Sequence, residues 1–98
     1  MITRSKESDI QRSILNYLRT HYPTAVTWKL HEDPIFGIIG IPDILFIYDN
    51  NVYFFEVKRQ GEDATKIQKI VLEKIRHNGI IAEVVYGVLD VQQFIKGV

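Results

Sequence analysis

The chain has 98 residues, which suffices for one compact domain spanning 1–98, and its 46% hydrophobic content can supply a core. The 12 basic residues equal the 12 acidic ones, so net charge is zero, which excludes coating of nucleic acid by bulk electrostatics but leaves room for a local basic patch. The absence of cysteine excludes disulfides and thiolate metal sites and fits a reducing interior; with no apolar run of membrane-spanning length and no signal-like start in Met1-Ile2-Thr3-Arg4-Ser5-Lys6, the expectation is a soluble cytoplasmic protein without a membrane partner.

A first helix is predicted from Ser5 or Ser8 to His21, because Ile10, Ile14, Tyr17 and Leu18 share one face and Pro23 stops it. Thr24 to His31 alternates, with Val26, Trp28 and Leu30 on one side and Thr27, Lys29 and His31 on the other. That pattern predicts a half-buried strand. Glu32 to Gly40 reads as a loop. Ile44 to Tyr48 and the run from Val52 read as two apolar strands joined by a turn at Asp49-Asn50-Asn51. Thr65 opens a second helix with Ile67, Ile70, Val71 and Ile75 as its apolar stripe, and Asn78-Gly79 ends it. Ile80 to Tyr86 suits a buried strand after a helical crossover. Asp90 is the predicted cap of a short last helix with Val91, Phe94 and Ile95 inward. The order is α-β-β-β-α-β-α, an α/β fold with a mixed four-stranded sheet flanked by helices.

Two short motifs carry the chemistry. Ile41-Pro42-Asp43 heads one predicted strand, and Glu56-Val57-Lys58 ends the next. Glu56 and Lys58 are two apart, so they share a strand face. A two-residue loop at Asn50-Asn51 sets Asp43 opposite Lys58 and beside Glu56; a three-residue loop turns Asp43 away, and a bulge near Pro42 re-aims it. Two carboxylates can hold a hard divalent cation and a lysine can steady a phosphate or a water, the requirements of metal-dependent phosphodiester cleavage. The alternative for Glu56 and Lys58 is an edge strand with solubilising charges.

Other residues have two readings each. Glu7 shares the inward face of the first helix, either at its solvated end or aimed at a cation. Thr65-x-x-Gln68 is a capping box, and Gln68 also falls near the Glu56/Lys58 strand end. Lys29 and His31 point to one strand face, as surface residues or as phosphate contacts. Lys58, Arg59, Lys66, Lys69, Lys74 and Arg76 cluster along the second half, as a solvated helix face or as a DNA-binding patch to which Arg59, Lys66 and Lys69 belong.

Glu7, Gly40-Ile41-Pro42-Asp43, Glu56-Val57-Lys58 and Gln68 resemble the signature of the PD-(D/E)xK nuclease superfamily, and more narrowly the VRR-NUC (virus-type replication-repair nuclease) family. The resemblance spans nearly the whole chain and implies an α-β-β-β-α-β core. It implies that Asp43, Glu56 and the Val57 carbonyl bind Mg²⁺ or Mn²⁺ and that Lys58 positions or activates the attacking water. Glu7 would complete the acidic cluster and Gln68 would support it. Small stand-alone members resemble homodimeric, phage-encoded enzymes acting on branched DNA such as four-way junctions, in replication, recombination or repair. This chain departs from the family in its apolar approach Ile35-Phe36-Gly37-Ile38-Ile39, where a basic residue is common; such a loop suits a dimer interface or a wedge against opened bases. A non-catalytic DNA-binding or assembly module, and a nuclease for single-stranded DNA or RNA, are the alternative functions.

Overall fold

The computed structural model describes residues 6–96. Helix α1 runs Glu7–His21, with Lys6 at the N-cap position and no side chain capping it. Ser8 therefore lies inside the helix, and Ser5 lies outside the described residues. Glu7 and Asp9 occupy the first turn, where carboxylates oppose the positive end of the helix dipole. Strand β1 is shorter than expected, Val26–Lys29. The following loop carries a 3-10 turn, Pro34–Phe36, capped by the Asp33 carboxylate on the Ile35 amide.

Strands β2 (Ile44–Tyr48) and β3 (Asn51–Val57) form the expected hairpin, but its register differs by two residues. Tyr48 pairs with Asn51, so Asp49 and Asn50 make the turn, both with positive φ (51° and 65°). Asp and Asn tolerate that region, and a turn of this hand matches the twist of the strands. A slip of two leaves every side chain on its expected face, whereas a slip of one would have inverted them.

Thr65 caps α2 (Lys66–His77), and β4 (Ile81–Val85) returns parallel to β3. Helix α3 (Val88–Lys96) closes the chain. Asp90 sits in its first turn, not at the cap, and accepts a hydrogen bond from the Tyr86 amide at 2.7 Å. The sheet order is β1-β2-β3-β4, with an antiparallel meander and a parallel fourth strand, as expected.

The core lies under α1 and α3. Ile14, Leu18 and Val91 pack on Ile44, Phe46, Tyr53, Phe55, Val57 and Val85, all essentially inaccessible to water. Each such side chain contributes about 1.5–3 kcal/mol by burial. Along β3 the alternate residues Phe54 and Glu56 face the other side. There α2 buries Leu72 over Ala82 and lies mainly along β4. The expected stripe on α2 is therefore only partly covered: Ile67 and Ile70 remain exposed because the helix covers β4 and leaves the outer strands open. Trp28 is likewise 59% exposed, against the expected half-buried pattern, because no helix lies over its side of β1. Among the described residues no helix is long and apolar enough to cross a membrane.

Candidate active site

The site begins with the backbone of Gly40. Its φ is +72°, and a Cβ there would lie 3.1 Å from both the side chain and the carbonyl oxygen of Ile67 in α2. Its amide donates to the Glu32 carboxylate at 2.8 Å. Only glycine meets both the conformation and the close approach, which explains the glycine three residues before Asp43. Gly40→Ala is expected to lower stability by about 2 kcal/mol through strain and contact. It also displaces the Pro42-Asp43 segment, so thermal denaturation and any activity should fall together.

Pro42 is buried, and the Asp43 backbone is held from both sides. Its amide donates to the Phe55 carbonyl at 3.0 Å, and its carbonyl accepts from the Leu30 amide at 2.7 Å. Counting on from the Ile44–Phe55 pair, Asp43 comes level with Glu56, not with Lys58 as first expected. Its amide nevertheless reaches Phe55, so the ladder is distorted here and the side chain is re-aimed. Asp43 Oδ2 accepts the Val57 amide at 2.7 Å, which fixes this carboxylate against β3.

Glu56 is 1% exposed, and among the described residues neither of its carboxylate oxygens has a hydrogen-bond partner. Burial first, and then the shared hydrogen-bonding position and charge of Asp43, push its pKa up to about 9; Lys58 opposes the shift and Glu7 adds to it. A buried orphan carboxylate is costly in a fold that offers it nothing. Glu7, Asp43 and Glu56 each present a carboxylate oxygen within 4.8 Å of the others. Three hard oxygen donors, from α1, the bend just before β2, and β3, fit a hard divalent cation in both chemistry and spacing. Lys58 follows directly after β3 and is only 8% exposed. Its amide continues the ladder to the Val85 carbonyl at 3.0 Å.

The remaining expected residues divide. Gln68 forms the capping box: its Oε1 accepts the Thr65 amide at 2.8 Å and its own amide donates to the Thr65 hydroxyl at 3.3 Å. Only its NH₂ end is left for a ligand. Arg59 pairs with Glu62, and Lys69 pairs with Asp63 at 2.7 Å, holding that carboxyl below its ordinary range. Arg76 is engaged by Glu73, Glu83 and the Ala82 carbonyl. Half of the basic cluster, Arg59, Lys69 and Arg76, is thus neutralised locally. Lys66, Lys29 and His31 are exposed and have no ion pair among the described residues. Lys29 pairs with Ile44, next to Asp43. Sequence reasoning assigned no role to Glu32, whose only signal is its place eight residues before Gly40.

No family model matches the sequence, and no curated protein is significantly similar to it. Solved structures are similar. One, described as a VRR_NUC domain, superposes with a TM-score of 0.76 at 24% identity, covering 94% of this chain and 96% of the other. A second, described as a VRR_NUC domain protein, gives 0.74 at 20% identity, covering 96% of this chain and 88% of the other. Agreement over nearly the full length of both partners means that the chain has the VRR_NUC fold.

Proposed function

We propose that this chain is a metal-dependent nuclease of the VRR-NUC type that hydrolyses phosphodiester bonds in DNA. The observation that carries the proposal is Glu56, buried, without a partner, and gathered with Asp43 and Glu7 around one point. The ligands would be these three carboxylates with the Val57 carbonyl, and the ion Mg²⁺ or Mn²⁺. When bound, such an ion acidifies a water and neutralises charge on the phosphoryl group.

The protein's own groups do the rest. The Val57 amide orients Asp43, so one acceptor arrives pre-aligned. Lys58, held in a nearly closed setting, supplies a fixed positive charge beside Glu56, suited to positioning the nucleophile. The NH₂ group of Gln68 is available to a phosphate while its oxygen secures the helix start. A binding module without catalysis gains nothing from carboxylates facing phosphate, which disfavours that alternative.

Branched DNA is the substrate class we favour, with the protein acting as a homodimer. In support, the loop tip is strongly exposed and apolar, Ile35 at 88% and Phe36 at 78%, and it adjoins exposed Ile67 and Ile70 through the Gly40–Ile67 approach. Replacing Phe36 and Ile38 together by alanine is expected to weaken self-association or junction binding. Sizing and gel-shift assays check this, and no change in either removes the loop from the interface.

The direct test of the reaction is incubation of pure protein with four-way junction, flap, duplex and single-stranded DNA, and with RNA, in Mg²⁺, Mn²⁺ or EDTA. Metal-dependent cutting of the branched DNA supports the proposal. Preferential cutting of single strands or RNA transfers the same site to another substrate shape. Binding of the junction without cutting anything overturns catalysis.

A further inference from the structure

Trp28 has no role in the acidic site, yet it is a large aromatic left open on a sheet face. Cross-strand register places it beside Leu45, and Leu45 beside Phe54. Phe54 precedes Glu56 by two residues on the same strand, so Trp28 and Glu56 lie on one face of the sheet. They stand two strands apart across the sheet and two residues apart along it, a separation of about 12 Å.

A cation lies beside Trp28. Arg19 reaches from α1 to the Thr27 carbonyl at 3.4 Å on the free edge of β1, whereas Lys29, the next residue of the strand, points to the opposite face. Arg19 has no carboxylate partner among the described residues, unlike Arg59, Lys69 and Arg76. A groove of about 380 Å³ runs along this edge, lined by Arg19, Tyr22, Val26, Thr27 and Trp28 among others. An open indole beside an arginine without a carboxylate partner is a stacking platform for a base whose backbone is held by charge. A second protein copy would find apolar surface here, but also that unneutralised charge.

We propose that Trp28 stacks an unpaired base of the substrate on the sheet face that carries the acidic cluster, with Arg19 holding a neighbouring phosphate. This rests on the proposed nuclease function and makes it selective for DNA with unpaired nucleotides near the cleavage point. A base still inside a duplex has no free face to offer the indole.

Trp28 is the single tryptophan of the chain, so its fluorescence reports the contact without a label. The experiment titrates the full chain in EDTA with a single-stranded oligonucleotide, a flap and a fully paired duplex, following both tryptophan emission and the anisotropy of labelled DNA. Strong quenching by the first two and little by the duplex is expected. Trp28→Ala should weaken binding of the single strand and flap by about tenfold or more. Trp28→Phe should restore most of it, and duplex binding should change little for either variant. Equal quenching by duplex, or unchanged single-strand affinity in Trp28→Ala, overturns the stacking role. A smaller assembly for Trp28→Ala in sizing overturns it in favour of self-association. If the wild type binds no nucleic acid, the proposed function falls as well; if it binds and cuts with Mg²⁺ while Trp28 stays unperturbed, only the stacking role falls.

Discussion

Glu56→Ala is expected to abolish metal-dependent cleavage, with a loss of about 10³-fold or more, and Asp43→Ala to do the same. The two should part company in stability. Removing Glu56 takes away a buried carboxylate with no hydrogen-bond partner, so the metal-free variant should melt no lower than the wild type once the small cavity is allowed for. Removing Asp43 strands the Val57 amide, which costs about 1–3 kcal/mol. Asp43→Asn keeps an acceptor oxygen for that amide and should restore stability without restoring activity. DNA binding in EDTA should be retained in Glu56→Ala at neutral pH, where this carboxyl already holds its proton, and tightened above about pH 9, where a negative charge facing phosphate has gone. The checks are cleavage rates, gel shifts and thermal denaturation on one set of variants. Metal-dependent cutting that survives both alanine substitutions refutes the assignment.

The metal-free protein should lose stability as pH rises, and Glu56→Gln should abolish most of that loss. With its pKa pushed up to about 9, folded Glu56 keeps its proton through neutral pH, while in the unfolded chain it releases it near the ordinary value of 4.5. Between those limits the folded state binds more protons than the unfolded one, so its stability falls with pH; below about 4.5 and above about 9 this group adds no slope. The Tm difference between Glu56→Gln and wild type in EDTA should therefore widen from pH 5 to pH 9. Cation binding must expel the proton. Affinity for Mn²⁺ should thus climb over the same range, with release of about one proton near neutrality, measurable by calorimetry in buffers of different ionisation enthalpy. A flat Tm difference, or binding without proton release, shows that Glu56 is already ionised in the metal-free fold.

Local pattern made much of this protein legible in its sequence. Helical spacing located α1, and the Thr65-x-x-Gln68 box marked the start of α2 to the residue. Alternation put Glu56 and Lys58 on one strand face. The Gly-x-Pro-Asp and Glu-Val-Lys motifs named the carboxylates that gather with Glu7. Such features depend on neighbours within a few residues, and the chain itself supplies those.

Packing decided the rest. The hairpin turn settled on Asp49-Asn50 because two consecutive residues there adopt positive φ, a choice that the Asp-Asn-Asn run leaves open. Asp43 reached the Val57 amide only through a distorted ladder that no periodicity records. The basic cluster read as a solvated helix face or a DNA-binding patch, and which of its cations stay unpaired was decided when Glu62, Asp63, Glu73 and Glu83 folded against Arg59, Lys69 and Arg76. Trp28 matched a buried strand position, yet it lies open, because burial depends on which strands a distant helix covers. Residue type and spacing thus determined the elements and the acidic set. Register, ion pairing and exposure were decided by contacts between segments far apart in the chain, whose free energies are set by the assembled surface and not by any local stretch.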